Sequence, residues 1–287
     1  MLSIHKSQNI KRGRLIIGVL AILIIAIFNT SARNAAVARW VFFDVGQGDG
    51  ILIITPGGEQ ILIDGGPNNK IVTDMGSYFP FYDHTIELMI LSHAHADHTI
   101  GLVEVAKRYH IKEALYPGDI ENQSAFYTAW LAEIQSVGRA ALAGQTYSFA
   151  DGSRLEILHP LKTPAARPTD LNDTSVVARY CYLEVCLLLT GDLPQAGEKE
   201  LMRQGLKLKA DILKVGHHGS RDSSGEDFIE AVKPLAAVIQ SGTGNSYGHP
   251  HAELLQRLLS HDIKILRNDE SGVIEIVTDG YRWWLAE

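Results

Sequence analysis

A short segment of the sequence contains four side chains of the kinds that bind metal ions. It reads Ser92-His93-Ala94-His95-Ala96-Asp97-His98 and follows directly on the apolar run 88–91. Neutral imidazole and carboxylate groups are the usual protein ligands of Zn²⁺ and similar divalent cations. If the apolar run is a strand that opens into a tight loop, all four side chains can point to one place. The segment therefore predicts a metal site at a strand end, completed by ligands from other parts of the chain.

Two later segments also place such side chains directly after apolar runs. Asp192 follows one of these runs, and the adjacent His217 and His218 follow the other. From the residues alone, Asp192 has two interpretations: a metal ligand, or the N-cap of a helix that begins two residues later. The two histidines have a comparable alternative, a polar turn before a glycine. The residues alone leave these alternatives open.

With five further motifs, the His segment resembles the metallo-β-lactamase superfamily, whose signature is His-x-His-x-Asp-His. Within that superfamily the chain is similar to the C-terminal, extracytoplasmic hydrolase-like domain of ComEC-type DNA-uptake proteins. The motifs occur in the family order and the resemblance covers roughly residues 39–287. The five motifs are Phe43-Asp44-Val45-Gly46-Gln47-Gly48-Asp49, Ile61-Leu62-Ile63-Asp64-Gly65-Gly66, Thr190-Gly191-Asp192, Lys214-Val215-Gly216-His217-His218-Gly219-Ser220 and Tyr247-Gly248-His249-Pro250.

The fold that the resemblance implies is a mixed α/β (α+β), four-layer αββα sandwich with metals at the rim where strands end. The hydrophobic pattern agrees with it, because clusters of apolar strands alternate with helical segments. We predict an N-terminal segment, 1–38, followed by one hydrolase-like domain, 39–287. The predicted helices lie near 100–109, 124–137, 194–205, 225–232 and 251–260. The predicted strands lie near 40–45, 51–55, 60–63, 87–91, 154–158, 175–182, 185–190, 211–215, 236–240, 263–266, 273–277 and 282–285, with a Pro-Gly-Gly turn at 56–58.

The resemblance further implies a centre of one or two divalent ions, with Zn²⁺ expected and Mn²⁺ as the alternative. In this centre Asp192 bridges the two ions, and His217 is the late ligand of the second site. The complete expected ligand set is His93, His95, Asp97, His98, Asp192 and His217. The side chains expected to support these ligands or to contact the substrate are Asp44, Asp49, Asp64, Asn172, Ser175, His218 and Ser220.

The sequence departs from the superfamily pattern at one ligand position. A further histidine usually lies between the first motif and the bridging aspartate, but this chain has Asn172-Asp173-Thr174-Ser175 in that region. One metal site then retains only His93, His95 and the bridge from the standard set. It is expected to be weaker, to recruit Asn172 or water, or to remain empty.

Two side chains are predicted to act directly in a metal-assisted hydrolysis. Asp97 is expected to hold and orient the attacking water, whose pKa a divalent ion lowers. His249 follows the Gly/Ser-rich segment 241–248, which can offer backbone N–H groups to a phosphate. We expect His249 to protonate the leaving oxygen. The alternative, of equal weight, is a turn before the helix that begins near His251.

The N-terminal segment predicts export. Basic residues precede the uninterrupted apolar run 15–28, and small and polar residues follow it. This is the pattern of a single-pass anchor with the domain outside the cytoplasm, or of a signal peptide cleaved after 36–38 so that the domain is secreted. In an exported protein Cys181 and Cys186 can form a cross-strand disulfide, or they are two small buried side chains; the sequence does not decide between these.

The charge distribution limits the mode of substrate binding. The chain carries 26 Lys and Arg and 33 Asp and Glu, and five of the basic residues precede residue 39. The remainder therefore has a formal charge of 21 minus 33, or −12. This is a poor footprint for non-specific DNA binding and favours transient contact through the metal.

These features predict a metal-dependent hydrolase outside the cytoplasm, namely a phosphodiesterase or DNase of the ComEC type. Its expected partners are a phosphodiester such as DNA, the membrane and a separate DNA-uptake channel. A second interpretation is another exported hydrolase, acting on a phosphoester, an envelope polymer or a β-lactam. A third, from a different class, is a DNA-uptake accessory without catalysis.

Overall fold

The structure is a computed structural model that describes residues 36–118, 120–121 and 124–286. Its described residues form two β-sheets and seven α-helices. The first sheet has eight strands in the order β15-β14-β1-β2-β3-β4-β5-β6. Its strands are β1 Ala38–Phe42, β2 Ile51–Ile54, β3 Gln60–Ile63, β4 Thr85–Ile90, β5 His110–Tyr116, β6 Gly138–Ala140, β14 Ile274–Thr278 and β15 Trp283–Leu285.

The second sheet has seven strands in the order β13-β12-β11-β10-β9-β8-β7. Strands β10 to β13 run parallel to one another, while β9, β8 and β7 continue the sheet in antiparallel fashion. The strands are β7 Thr146–Ser148, β8 Arg154–His159, β9 Val177–Tyr182, β10 Val185–Leu189, β11 Ile212–Lys214, β12 Ala236–Ile239 and β13 Lys264–Arg267.

The two sheets share one apolar core, and each has a second apolar layer on its outer face. Alternation along β1 shows why: Trp40 and Phe42 point into the core between the sheets, whereas Val41 packs in the outer layer with side chains of the helices. Strands covered on both faces need apolar residues at every position, which explains the continuous apolar runs. The predicted mixed α/β fold with two sheets is confirmed.

The helices pack in the two outer layers. The five predicted helices are present with slightly shifted bounds, while α1, α7 and strands β5 to β7 are additional. Pro194, predicted to begin a helix, is the N-cap residue of α4. The helices are α1 Lys70–Met75, α2 Ala96–Ala106, α3 Ala125–Glu133, α4 Gln195–Arg203, α5 Glu226–Val232, α6 Ala252–Ser260 and α7 Asn268–Ser271.

Strand direction gives the molecule two distinct edges. Strands β1, β3, β4 and β5 run in one direction in the first sheet, and β10 to β13 are parallel in the second. We call the edge at which these strands end the catalytic edge, and the edge at which they begin the basal edge. All of the predicted ligand motifs follow strand ends, so they lie at the catalytic edge.

A disulfide joins Cys181 and Cys186, which are directly paired across β9 and β10. The structure therefore selects the disulfide from the two interpretations of these cysteines. The predicted N-terminal membrane or signal segment lies outside the described residues. Among the described residues there is no helix whose length and apolar content would let it span a bilayer.

Candidate metal centre

Six loops at the catalytic edge supply the candidate site. Each loop follows a strand whose apolar side chains pack in the core between the sheets or in an outer apolar layer. The loop therefore begins at a rigidly held residue. The His segment, for instance, follows β4, and its second half forms the first turn of α2, with His95 as the N-cap residue. The loops follow β1, β3, β4, β10, β11 and β12 and contribute Asp49, Asp64, the His segment, Asp192, the two adjacent histidines and His249 respectively.

Asp192 lies at the centre of the candidate site. Its Oδ2 atom is 3.3 Å from Nε2 of His218 and 3.5 Å from Nε2 of His98. The corresponding distances to Nε2 of His93 and His217 are 3.8 and 3.9 Å. One carboxylate oxygen therefore faces four imidazole nitrogens. Asp192 does not act as an N-cap, because α4 has no side-chain cap at its N-terminus.

The remaining side chains of the His segment surround the same point. Nε2 of His93 lies 2.9 Å from Nδ1 of His95, and Asp97 Oδ2 lies 3.3 Å from Nε2 of His218. His93 and His98 are fully buried, whereas the Asp97 side chain is one-third exposed. The segment thus brings buried nitrogens and a solvent-facing carboxylate to one site, as its spacing predicts.

Asp64 holds the His segment in place. It accepts hydrogen bonds from the Ser92 backbone N–H at 2.7 Å and the Ser92 hydroxyl at 2.6 Å, and its Oδ2 is 2.8 Å from Nδ1 of His98. With Nδ1–H donated to Asp64, His98 Nε2 is the nitrogen that faces Asp192. This carboxylate–histidine arrangement fixes the tautomer and the ring orientation that a metal ligand requires.

A buried ion pair, which sequence analysis missed as a functional element, orients His218. Asp49 Oδ2 lies 2.6 Å from Nζ of Lys214, and the side chains of both are 1% exposed. Asp49 Oδ1 lies 3.3 Å from Nδ1 of His218, which is also 3.0 Å from the backbone carbonyl of Gln240. Two acceptors therefore face Nδ1, so Nδ1 keeps its proton and Nε2 is the nitrogen that faces the centre and can bind a metal once its own proton is released. Lys214 within an apolar strand was the available signal, since such a residue needs a buried partner.

The two adjacent histidines reach the centre through an unusual backbone. His217 and His218 have φ values of +51° and +53°, within the left-handed region. The His217 N–H donates to the Gly191 carbonyl, beside Asp192. His218 is 2% exposed and has the shorter approach, whereas the side chain of His217 is 32% exposed. The ligand role of His217 and the supporting role of His218 stay predictions, and the geometry also brings His218 Nε2 to the centre.

The charges of the cluster are strongly coupled. Burial opposes ionisation of Asp192, but His218 and His98 offset it and hold the pKa of Asp192 well below its ordinary value. Burial lowers the pKa of His98 and His218, yet Asp192 and the neighbouring carboxylates raise the pKa of both well above the usual range. For His93, burial and the nearby His98 lower the pKa well below its ordinary value. Protons on His98 and His218 thus balance the buried carboxylates.

The residues present fit a divalent cation. His98 Nε2, His218 Nε2, Asp192 Oδ1 and Asp49 Oδ1 are buried without a hydrogen-bond partner among the described residues. One ligand atom from each of these four side chains lies within 4.8 Å of every other. Buried polar atoms are rarely left unpaired in proteins. Nitrogen and carboxylate oxygen donors that converge without partners are the expected preparation for a metal ion.

The region that departs from the family pattern lies beside Asp192. The Ser175 hydroxyl accepts a hydrogen bond from the Asp192 N–H at 3.1 Å, so Ser175 supports the central carboxylate. Asn172 begins a short 3₁₀ turn and is 7% exposed, and its Oδ1 has no hydrogen-bond partner among the described residues. That Asn172 completes a metal site stays a prediction.

His249 lines a cleft of about 330 Å³ together with His95, Asp97, Asp192 and the two adjacent histidines. Asn245 shapes this loop: its Oδ1 accepts from the N–H groups of Tyr247 and His249, and its Nδ2 donates to the His249 carbonyl. The ring centroid of His249 lies 5.6 Å from that of His217 and 6.4 Å from that of His218. Burial and the neighbouring imidazoles lower the pKa of His249 to about 4. The imidazole is therefore neutral at pH 7.

Two of the predicted supporting residues do not reach the centre through any described contact. Asp44 accepts a hydrogen bond from the Gly46 N–H and stabilises the loop after β1. The Ser220 hydroxyl accepts from the Asp222 N–H and shapes the turn after His218. Both thus act on the loops that carry ligands rather than on the ligands. Gln47, in the same motif as Asp44 and Asp49, lines the cleft, and its Oε1 accepts a hydrogen bond from the Gly242 N–H.

Comparison with known families identifies this fold and site. Residues 43–242 match the family described as the metallo-beta-lactamase superfamily, and the chain belongs to that superfamily. With the buried Asp and His group, membership defines the chain as a metal-dependent hydrolase of this fold.

Two curated relatives are named for competence. The chain is 32% identical to ComE operon protein 3 of Bacillus subtilis, over 81% of this chain. It is also 32% identical to competence protein ComA of Neisseria gonorrhoeae, over 85% of this chain. The matched region spans only 32% of the length of each relative. The predicted resemblance to ComEC-type proteins is confirmed.

The fold has a counterpart among solved structures. The metallo-beta-lactamase fold protein YhfI from Bacillus subtilis superposes with a TM-score of 0.50 and 12% sequence identity. The alignment covers 80% of this chain and 95% of YhfI. At this identity the likeness establishes the common fold alone.

Proposed function

We propose that this chain is a divalent-metal-dependent phosphodiesterase that cleaves DNA on the outer side of the cytoplasmic membrane, as part of DNA uptake. The observation that carries this proposal is the position of Asp192, whose Oδ2 lies 3.3–3.9 Å from four imidazole Nε2 atoms. A carboxylate so placed can share one or two cations with those nitrogens. Hydrolysis of a phosphodiester needs such a concentration of positive charge beside the phosphate.

The side chains divide between holding the ion and acting on the substrate. His93, His95, His98, Asp192 and one or both of the adjacent histidines would hold one or two divalent ions, with Zn²⁺ expected and Mn²⁺ the alternative. A divalent ion supplies a Lewis acid and lowers the pKa of a water molecule. Asp97, one-third exposed, accepts a hydrogen bond from the attacking water and orients it. The loop 242–248 offers backbone N–H groups to the phosphate.

His249 is proposed to donate the proton that the leaving oxygen needs. In the free protein it is neutral at pH 7, because burial and neighbouring imidazoles lower its pKa to about 4. The negative charge of a phosphodiester beside the ring raises that pKa, so the ring takes up a proton from solvent when substrate is bound and can pass it to the leaving oxygen. Its place on the wall of the metal cleft supports this role.

The choice of DNA as substrate is supported by the relatives and constrained by charge. Both relatives named above belong by name to competence, and the described domain resembles their matched third. A net charge of −12 beyond residue 38 disfavours a basic binding groove. We therefore propose that the protein recognises DNA by contact between a phosphate and the metal, rather than by Lys and Arg contacts along the duplex.

The extracytoplasmic location is supported by two features of different kinds. The N-terminal sequence has a basic flank followed by an apolar run, typical of an anchor or an export signal. The disulfide between Cys181 and Cys186 is typical of oxidising compartments. We propose a single-pass anchor, with secretion after cleavage as the alternative, and a separate channel as the partner in uptake.

A panel of substrates tests this function. The full chain, loaded with Zn²⁺ or Mn²⁺, is incubated with linear DNA, bis-p-nitrophenyl phosphate and nitrocefin, with Asp192→Asn as the matched control. We expect cleavage of the first two substrates and none of either by the variant. Cleavage of nitrocefin alone would instead identify a β-lactam hydrolase, and no cleavage by a metal-loaded chain would indicate a non-catalytic accessory.

A further inference from the structure

The exposed apolar side chains are distributed unevenly between the two edges of the molecule. Ten large hydrophobic side chains among the described residues are exposed. Phe126, Tyr247 and Val273 lie toward the catalytic edge, because α3 begins there, Tyr247 borders the metal cleft and β14 begins there. The other seven lie toward the basal edge, next to strand starts or in the turns that connect strands there: Phe81, Tyr82, Leu183, Leu235, Leu259, Tyr281 and Trp284.

The most exposed of these side chains belong to a tightly held turn before β4. Phe81 is 92% exposed and Tyr82 is 75% exposed, with ring centroids 5.3 Å apart. The Asp83 N–H donates to the Pro80 carbonyl at 2.9 Å, which closes the turn. On one side Phe79 packs on Tyr109, and on the other Asp83 accepts a hydrogen bond from Gln60 at the start of β3. The fold thus fixes a pair of aromatic rings in solvent.

Two further turns present apolar tips at the same edge and support each other. Leu183 is the tip of the β9–β10 turn and is 49% exposed, and Tyr281 lies in the β14–β15 turn and is 65% exposed. The Glu184 N–H donates to the Gly280 carbonyl at 2.8 Å, which joins these turns across the two sheets. Both sheets therefore contribute apolar tips to the basal edge.

The chain enters the domain at this same edge. The described β1 begins at Ala38, which is paired with Thr278 at the end of β14. Nine residues separate Ala38 from the end of the apolar run at Phe28. Nine extended residues span at most roughly 30 Å. If the apolar run is anchored in a bilayer, the basal edge is therefore held within that distance of the bilayer surface.

We infer that the basal edge docks on the lipid bilayer, with Phe81, Tyr82, Leu183 and Tyr281 as the side chains that enter the interface. This inference rests on the proposed membrane anchoring. Aromatic rings favour the boundary between headgroups and acyl chains, where Phe81, Tyr82 and Tyr281 would lie. Docking in this orientation turns the metal cleft away from the bilayer, so substrate reaches it from the side of the external medium.

Site-specific lipid quenching tests the orientation in the full chain. Phe81→Cys is labelled with the environment-sensitive fluorophore NBD, and Phe126→Cys, labelled in the same way, is the matched control from the catalytic edge. The native cysteines are joined in the disulfide and do not compete for the label. The chain is reconstituted into phosphatidylcholine vesicles that contain nitroxide-labelled phosphatidylcholine, and vesicle flotation is measured on the same samples.

We expect the chain to float with the vesicles and nitroxide quenching to be roughly twofold or more stronger at position 81 than at position 126. Equal quenching at both positions in a floating chain would overturn the docking surface and leave the anchoring intact. A chain that does not float would contradict both. If position 81 is shielded from aqueous iodide without quenching by the nitroxide lipid, a second copy covers the edge, and the lipid inference is wrong.

Discussion

At the scale of single residues, the centre depends on pairs of groups that are distant in the sequence. The ligand types were predictable from sequence, because His93, Asp192 and His217 each follow an apolar run. The side chains that orient these candidate ligands were less predictable from the sequence. Lys214 belongs to an apolar strand, and only the folded chain shows that Asp49 neutralises it at 2.6 Å. Sequence spacing cannot reveal such a pair, since the two residues come from different sheets.

The Lys214–Asp49 pair makes a prediction about stability and metal binding. Lys214→Met leaves the buried Asp49 carboxylate without its counter-charge, which costs about 3–5 kcal/mol of unfolding free energy. The double variant Lys214→Met with Asp49→Asn removes both charges and should recover much of that loss in urea unfolding. Its metal affinity should remain reduced, because the negative charge that faces His218 Nδ1 is lost. Equal stability of the single variant and the parent chain would contradict this account.

His249 predicts a dependence on the leaving group. His249→Ala should retain metal and lose on the order of 10²–10⁴-fold in rate with a nucleoside alkoxide as leaving group. With p-nitrophenolate the loss should be much smaller, because that oxygen needs little protonation. The ratio of the two losses, with metal content measured in parallel, is the readout. Loss of metal, or the same loss of rate for both substrates, would exclude the proton-donor role.

The protons on His98 and His218 predict how metal binding depends on pH. Nearby carboxylates raise the pKa of both imidazoles, so both are protonated in the metal-free protein at neutral pH. A metal ligand must be unprotonated, so binding releases protons and weakens as the pH falls. Calorimetric titration with Zn²⁺ in buffers of different ionisation enthalpy should show net proton release. A binding enthalpy independent of the buffer would show that the imidazoles are already neutral.

At the scale of secondary-structure elements, apolar strands and helix ends were predictable from the sequence, whereas short helices and strands were not. The run 60–63 is a strand with the predicted bounds, because it is apolar and follows a Pro-Gly-Gly turn. Strand β5 was missed because its buried apolar residues, Ile111, Ala114 and Leu115, are spaced three and four positions apart, which is the spacing of a helix. Helix α7 has four residues and no side-chain cap, so it leaves little trace in the sequence.

One buried carboxylate on α4 predicts how stability varies with pH. Glu198 accepts hydrogen bonds from the N–H groups of Ser224 and Gly225, in the loop that follows His217 and His218. Burial raises its pKa to about 7. The unfolded chain therefore releases this proton at lower pH than the folded chain. The stabilisation is present below the unfolded pKa and is lost as the pH rises through about 7.

The corresponding loss is about 3 kcal/mol between pH 4.5 and 7. Urea unfolding of the metal-free chain and of Glu198→Gln, compared across this range, isolates the contribution of Glu198. The difference in unfolding free energy between the two proteins should change with pH in this direction. A difference that stays constant with pH would show that Glu198 ionises normally in the folded chain.

At the scale of the whole molecule, strand direction separates two surfaces with different chemistry. The catalytic edge gathers the metal ligands, and the basal edge gathers apolar tips and the start of β1. The net charge of −12 beyond residue 38 predicts that DNA binds poorly without metal. Fluorescence anisotropy with labelled DNA should show a large loss of affinity in EDTA for the non-cleaving Asp97→Asn variant. Tight binding in EDTA would indicate a basic site elsewhere and would contradict recognition through the metal.

The central claim is that the buried cluster around Asp192 binds divalent ions that drive cleavage of DNA. It is tested most directly by titrating the EDTA-stripped chain with Zn²⁺ or Mn²⁺ while nucleotide release from linear DNA and bound metal are measured in the same samples. We expect release to begin only with added metal and to saturate at one to two ions per chain. Full metal occupancy without nucleotide release, or equal release in the stripped chain, would contradict the claim.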